Sequence, residues 1–137
     1  MADLEYGRDY FTKHFTTEWA DTKNVVVSLY EASNPQVQIG IIEVRLFRGK
    51  SKYKDEAYFW NLFVDQNHRH KGYGHALLSD ALDLAMLNNC KIAMLEWDKC
   101  DSKQWVLDWY VRHGFEEKEF SEGYTRLEKD MANYAKE

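Results

Sequence analysis

The stretch Val64-Asp65-Gln66-Asn67-His68-Arg69-His70-Lys71-Gly72-Tyr73-Gly74 decides the fold, because the hydrophobic pattern changes within it. The run before it, Ala57–Val64, is apolar on both faces, which predicts a central strand of a sheet. After Gly74, apolar residues recur at spacings of three and four, which predicts a helix that ends near Asn88-Asn89. Arg69-x-x-Gly72-x-Gly74 therefore lies where a strand leads into the first turn of a helix.

The turn into this helix has the chemistry of a phosphate site. The first backbone N–H groups of a helix have no partner inside it, and the helix dipole adds positive potential there. A phosphate or pyrophosphate fits such a position, and Gly72 and Gly74 let it approach the backbone closely. Arg69, His70 and Lys71 add positive charge beside the glycines.

The residues before Ala57 predict antiparallel strands. The segment Tyr10–Trp19 fits either a first strand or an irregular helix. Asn34-Pro35 predicts a turn, and the polar, basic segment Arg48–Lys54 predicts a hairpin loop. Two β-branched stretches are the clearest strands, Val25–Tyr30 and Val37–Phe47.

The residues after the first helix predict a strand, a second helix and two more strands. Asp101 is a plausible N-cap of the second helix, with Gln104 three residues on, and Gly114 ends it. A strand, a helix and a strand in sequence favour a parallel pair at the sheet centre, so we expect one α/β domain with a mixed sheet. The predicted elements are Ile92–Trp97, a helix from Ser102 or Lys103 to His113, Phe115–Phe120 and Tyr124–Lys129.

Composition narrows the class of protein. The chain has 137 residues, of which 45% are hydrophobic, and this suits a single domain with one core. The formal net charge of -5 argues against a general nucleic-acid binder. No apolar run reaches membrane-spanning length, and Cys90 and Cys100 form neither a CxxC motif nor a metal cluster. We therefore expect a cytoplasmic protein with reduced thiols, no metal, and no membrane or nucleic-acid partner.

Two motifs on these elements resemble the GNAT family of N-acetyltransferases. The first is Arg69-x-x-Gly72-x-Gly74, which resembles the family's acetyl-CoA signature. Val64 stands eight positions before Gly72, as the family's strand end does, and Ala-Leu-Leu follows at 76–78. The second motif, Tyr-x-x-x-Gly-Phe, spans 110–115 and comes after a strand with Leu-Glu-Trp at 95–97. Two motifs in the right order on the right elements are far more specific than one glycine motif.

The resemblance implies a fold and an activity. The implied fold is a mixed, mostly antiparallel sheet with a splayed parallel strand pair and flanking helices. The family's helices between the first two strands are expected to be shortened or absent, since only Met1 to Asn24 is available for them. The implied activity is transfer of an acetyl group from acetyl-CoA to a primary amine by direct attack.

The resemblance also implies roles for residues. Tyr110 would protonate the departing CoA thiolate, and the strand end 62–64 would hold the pantetheine arm by backbone hydrogen bonds. Lys103 stands where the family often has Asn, and we expect it to reach a cofactor phosphate. The implied cofactor-binding residues are Leu62, Phe63, Val64, Arg69, His70, Lys71, Gly72, Tyr73, Gly74, His75 and Lys103.

Several alternatives stay open at this point. Glu43 is the preferred candidate for the general base, with Glu56 and Glu96 behind it. Two alternative functions remain. One is a non-catalytic CoA-binding or interaction module with the same fold, and the other is a nucleic-acid adaptor that uses the basic hairpin. The acceptor is a small amine, an aminoglycoside, a peptide N-terminus or a lysine side chain.

The aromatic residues near the N-terminus bear on assembly. Clustered exposed aromatics usually mark an interface, which predicts a homodimer in which this segment or the terminal strands help close the acceptor site. The alternative is that these side chains cap the sheet of the monomer. They are Tyr6, Tyr10, Phe11, Phe15 and Trp19.

Overall fold

A seven-stranded mixed sheet organises the computed structural model, which describes residues 9–98, 103–121 and 123–136. The strands lie in the order β1-β2-β3-β4-β5-β7-β6, and all neighbours are antiparallel except β4 and β5. The elements are β1 Tyr10–Trp19, β2 Thr22–Glu31, β3 Asn34–Phe47, β4 Glu56–Val64, α1 Tyr73–Leu87, β5 Ile92–Asp98, α2 Gln104–Arg112, β6 Glu116–Ser121 and β7 Tyr124–Asp130. Short 3₁₀ turns occupy Gln66–His68 and Met131–Lys136.

The first segment is a strand, so the open choice at Tyr10–Trp19 resolves in favour of β1. Every residue of β1 faces a partner on β2, from Tyr10 opposite Glu31 to Trp19 opposite Thr22. Only two residues separate these strands, so no helix lies between them, as expected from the short N-terminal segment. The first of the two, Ala20, has a φ of 51°, which is the left-handed conformation of a tight hairpin turn.

The turn expected at Asn34-Pro35 was placed wrongly. The chain turns at residues 32–33, and Asn34 and Pro35 already belong to β3. The register jumps here, because Glu31 pairs with Asn34 while Tyr30 pairs with Gln38. Pro35 lies in the unpaired stretch between these positions, where its missing N–H costs no bond of the ladder.

Helix α1 covers one face of the sheet and builds the core. Its apolar stripe packs against β2, β3 and β4, whose inward side chains include Val27, Ile42 and Phe59. None of the helices in the described residues is long and apolar enough to cross a membrane. The side chains of α1 that are buried are Tyr73, Leu77, Leu78, Ala81, Leu82 and Ala85.

The parallel seam, in which Glu56–Tyr58 of β4 pair with Ile92–Met94 of β5, is short. Only these three register pairs join the two strands. Beyond them, β4 continues to Val64 and β5 to Asp98, but the two are no longer paired. The predicted splayed parallel pair is therefore confirmed, and it leaves the strand end 61–64 unpaired on the side of β5.

A β-bulge shapes the same end of β4. Ile41 faces Phe63 and Glu43 faces Trp60, so two residues of β4 lie opposite the single residue Ile42. The first of the two, Asn61, has a φ of 58°, which asparagine adopts more readily than most residues. A bulge bends its strand locally, so this feature sets the direction of the strand end that borders the opening.

Candidate active site

A cleft of about 1000 Å³ occupies the opening between β4 and β5. Its walls are the bulged end of β4, the diverging end of β5, the turn into α1 and one side of α2. The cleft lies where β4 and β5 are no longer paired beyond the short parallel seam. The predicted site residues that line it are Leu62, Phe63, Val64, Arg69, His70, Gly72, Tyr73, Gly74, His75, Lys103 and Tyr110.

The N-terminus of α1 opens into this cleft. Gly72 is the N-cap and has a φ of 85°, a conformation that favours glycine. No heavy atom lies within 4 Å of the position that a Cβ on Gly72 would take. Because glycine has no side chain, the N-cap of α1 offers no side-chain acceptor to the first N–H groups of the helix. The free amides and the open space in front of them fit a pyrophosphate.

Gly74 is not required by the packing of the protein itself. A Cβ there would lie 3.7 Å from the ring of Trp109, which is an ordinary contact. The packing of the described residues therefore does not explain a glycine at 74.

Arg69 holds the loop against the end of β4. Its Nε donates a hydrogen bond to the Val64 carbonyl over 2.9 Å, and its guanidinium lies 5.7 Å from the centre of the Phe63 ring. The sequence predicted the positive charge here but not this backbone contact. His70 has a φ of 66°, while Lys71 is exposed and lies outside the lining of the cleft.

His68 bridges two carboxylates at the start of the loop. Its Nδ1 lies 2.9 Å from Asp65 Oδ2, and its Nε2 lies 2.8 Å from Glu31 Oε1. The hydrogen bond to Asp65, followed by that to Glu31, raises the pKa of His68 above its ordinary value. The same bond holds the pKa of Asp65 below its usual range. The sequence placed His68 near the phosphate loop, but Glu31 is 37 residues away and gave no signal.

Tyr110 lines the cleft from α2. Its ring meets Trp109 and Phe115 edge to face, with centroids 5.2 and 5.9 Å apart. Burial raises the pKa of Tyr110 to about 12. The Tyr110 hydroxyl therefore keeps its proton at neutral pH.

Lys103 is the N-cap of α2, so the helix begins at Gln104. The predicted N-cap, Asp101, lies outside the described residues. The Lys103 carbonyl accepts a hydrogen bond from Trp97 Nε1 over 3.3 Å, which ties the start of α2 to the diverging end of β5. Its side chain is exposed at the rim of the cleft.

Two of the three candidate bases lie on the strands that flank β4, and the third, Glu56, is the first residue of β4. Glu43 of β3 accepts a hydrogen bond from Asn61 Nδ2 over 2.8 Å and lies beside the cleft rather than in its lining. Glu96 of β5 lines the cleft and accepts a hydrogen bond from Tyr58 Oη over 3.1 Å. Glu56 is engaged elsewhere, since its carboxylate lies 3.5 Å from Arg126.

The basic hairpin is mostly a solvated surface. Arg48 forms an ion pair with Glu18, and Lys52 Nζ lies 4.9 Å from the centre of the Tyr53 ring. Arg45 precedes the hairpin on β3, and its guanidinium lies 5.0 Å from the centre of the Trp60 ring. Within the described ranges, no group of three or more His, Cys, Asp or Glu side chains is arranged to hold a metal ion. Cys90 is a buried free thiol there, while Cys100 lies outside those ranges.

Comparison with known proteins agrees with this arrangement. A family model described as "Acetyltransferase (GNAT) domain" matches residues 21–117. An uncharacterized N-acetyltransferase of Methanocaldococcus jannaschii is 34% identical over 76 residues, which are 56% of this chain and 33% of that protein. The chain thus spans about a third of the length of this relative.

Solved structures share the fold. The PaiA N-acetyltransferase from Thermoplasma acidophilum, in complex with coenzyme A, matches with a TM-score of 0.65 and 18% identity over 78% of this chain and 60% of that one. The ribosomal-protein-S18-alanine N-acetyltransferase from Escherichia coli matches with a TM-score of 0.63 and 18% identity over 79% and 69%.

Three findings together define the class of protein. They are the splayed parallel pair, the glycine turn at the cleft, and the family match over residues 21–117. The chain belongs to the GNAT acetyltransferase family.

Proposed function

We propose that residues 1–137 form a single-domain N-acetyltransferase that transfers the acetyl group of acetyl-CoA to a primary amine. The observation that carries this proposal is the cleft between β4 and β5, which has the open N-terminus of α1 at one side and Tyr110 at the other. Acetyl-CoA supplies an acetyl group activated as a thioester. The role of the protein is to orient the reactants and to move two protons.

Two features of the cleft support the proposed cofactor-binding roles, the end of β4 and the N-terminus of α1. Within the described residues, the strand end 62–64 has no strand partner toward β5, and only the Val64 carbonyl is engaged there, by Arg69. The backbone groups of this strand end would hold the pantetheine arm as an added strand. The amides that begin α1, at Tyr73, Gly74 and His75, would bind the pyrophosphate at the Gly72 cap. Arg69 and Lys103 line the cleft and add positive charge to it, His70 lines it as well, and Lys71 is exposed next to Gly72 in the chain.

The chemical step needs one acid and one base. Tyr110 Oη donates its proton to the sulfur as the carbon–sulfur bond breaks. The amine nitrogen forms the new bond to the carbonyl carbon, and Glu43 accepts the proton that it loses, directly or through water. Glu96 competes for the second role because it lines the cleft.

The acceptor is a primary amine on a small molecule or on a protein. The name of the Escherichia coli structure refers to an alanine of a ribosomal protein, which supports a protein amine as one class. A screen of amines with acetyl-CoA, read by release of free thiol, identifies the acceptor. A protein that binds CoA but releases no thiol with any amine would instead be a non-catalytic CoA-binding module.

Gly72→Glu tests the binding site. The variant places a side chain and a negative charge where the pyrophosphate would lie, so calorimetry should show that CoA binding is lost while circular dichroism shows an intact fold. Leu87→Glu, at the exposed far end of the same helix, is the matched control and should bind CoA normally. Unchanged CoA affinity in folded Gly72→Glu would refute the assignment.

We also propose a homodimer that involves β1. Tyr10 packs against Tyr73 and Phe11 stacks on Tyr30, so these two aromatics cap the monomer. Phe15 and Trp19 are 69% and 80% exposed on an edge strand, which supports an interface there. Light scattering tests this, since a monomer at micromolar concentration excludes the dimer. Phe15→Ser with Trp19→Ser should convert a dimer to monomers and impair acceptor turnover more than CoA binding.

A further inference from the structure

The contacts of His68 favour the doubly protonated ring. Each ring nitrogen lies within hydrogen-bond distance of a carboxylate oxygen, at 2.9 Å for Asp65 and 2.8 Å for Glu31. A neutral imidazole carries one N–H, so its other nitrogen would turn a lone pair toward a carboxylate. Only the imidazolium donates to both partners. The ring is 19% exposed, and this limits the competition from water for these bonds.

The same three residues join separate parts of the fold. Glu31 is the last residue of β2, and Asp65 directly follows β4. Asp65 Oδ2 also accepts a hydrogen bond from the Asn67 N–H over 3.1 Å, so it shapes the 3₁₀ turn that contains His68. The next residue, Arg69, is bonded to the Val64 carbonyl. Residues 65–72, which connect β4 to α1, form the glycine loop. The first half of this loop is therefore anchored through His68.

We propose that His68, as an imidazolium bridge between Glu31 and Asp65, is a positioning residue for the glycine loop and makes the affinity for CoA depend on pH. This inference rests on the proposed CoA site at the start of α1. Loss of one ring proton removes one of the two bonds and a positive charge that borders the cleft. Both changes weaken the binding of an anionic ligand at the loop.

The surroundings of His68 fix the direction of the pH effect. Within the described part of the chain, the charged and titratable groups that contact His68 are Glu31 from β2, Asp65 from the loop, and Tyr73 from α1, whose ring centroid is 6.4 Å away. The charge of Arg69 acts on Asp65. Burial first, and then the hydrogen bond to Asp9, raises the pKa of Tyr73 to about 12, so Tyr73 stays neutral. The raised pKa of His68 means that the bridge is complete below the ordinary histidine value and is lost as pH rises through the higher folded value.

Two measurements test the proposal on the full chain. Nitrogen-detected NMR of the imidazole should show both His68 nitrogens protonated at about pH 7 and a titration above the ordinary histidine pKa of about 6.5. Calorimetry of CoA between about pH 6 and about pH 9 should show wild-type affinity falling about tenfold relative to His68→Gln, which binds more weakly at low pH and lacks this fall. The phosphates of CoA also titrate near pH 6, so the comparison is made between variants at each pH.

His14→Gln is the matched control, because His14 Nε2 pairs with one carboxylate, Asp80, 2.8 Å away and remote from the loop. This variant should keep the wild-type pH dependence of CoA affinity. Glu31→Gln should lower the pKa of His68 and shift the fall in affinity to lower pH.

A His68 ring with a single proton at pH 7, or equal pH dependence in wild type and His68→Gln, overturns the proposal. If wild type binds no CoA at any pH, the proposed function fails, and the NMR titration still tests the bridge itself.

Discussion

The ring of Tyr110 meets the ring of Phe115 at an interplanar angle of 70°, with centroids 5.9 Å apart. Phe115 is 1% exposed, so it offers Tyr110 a fixed, apolar surface. The contact joins the last turn of α2 to the residue before β6 across Gly114, whose φ is 94°. The position of the Tyr110 ring at the cleft therefore depends on a turn that favours glycine and on a buried ring behind it.

Tyr110→Phe should lower turnover by about 10²- to 10⁴-fold, the usual contribution of a general acid. The ring contacts with Phe115 stay, so CoA affinity measured by calorimetry should remain close to wild type. Because burial raises the pKa of Tyr110 to about 12, its ionisation does not lower activity below about pH 10. A variant with the wild-type rate on its acceptor would show that another group or water protonates the sulfur.

Glu43→Gln and Glu96→Gln separate the two candidate bases. Each change keeps the size of the side chain and its capacity to accept the hydrogen bond from Asn61 or Tyr58. Loss of the base should lower kcat/KM by about 10²-fold or more at neutral pH, with little effect on CoA affinity. A normal rate in Glu43→Gln, together with a slow Glu96→Gln, would move the role to Glu96.

Substitutions at His70 test the left-handed backbone of the glycine loop. At a φ of 66°, valine is strained, whereas glycine is not. His70→Val should lower the free energy of unfolding by about 2 kcal/mol, while His70→Gly should stay within about 1 kcal/mol of wild type. Urea unfolding measures both values. Equal stabilities of the two variants would contradict the assigned conformation.

Ala20 offers a stabilising substitution. Its φ of 51° in the β1–β2 turn is unfavourable for alanine and tolerated by asparagine. Ala20→Asn should raise the free energy of unfolding by about 0.5–1 kcal/mol, and Ala20→Val should lower it. Thermal and urea unfolding of the two variants, compared with wild type, provide the check. A destabilised Ala20→Asn would mean that the turn has a different geometry.

Much of the fold followed from local patterns in the sequence. The β-branched runs of β2 and β3 and the change from strand to helix after Gly74 depend on neighbouring residues, so the elements were predicted within a few residues. The parallel pair followed from the order strand, helix, strand. Tyr10–Trp19 stayed ambiguous because its strand character comes from pairing with β2 and not from its own apolar period.

The parts of the site that escaped prediction involve distant residues. His68 acquires its state from Glu31, at the end of another strand. The bulge at Asn61 exists because β3 and β4 fall out of register around Ile42, and a shift of this kind leaves no mark in either strand alone. The prediction of a turn at Asn34-Pro35 was wrong for a related reason. A proline at the start of a strand has the same local signal as a proline in a turn.

The three register pairs of the parallel seam also have a mechanical meaning. They are the pairs that join a group of four strands, β1 to β4, to a group of three strands, β5 to β7. Helix α1 packs on the larger group, and Tyr134 reaches back from beyond β7 to bond Asp83 of α1 over 2.8 Å. The seam is therefore a narrow connection between the two groups of strands, and the Tyr134–Asp83 bond is a second connection between them. A ligand held by both the free end of β4 and α2 would add a third, so its binding would stabilise the whole sheet rather than a single loop.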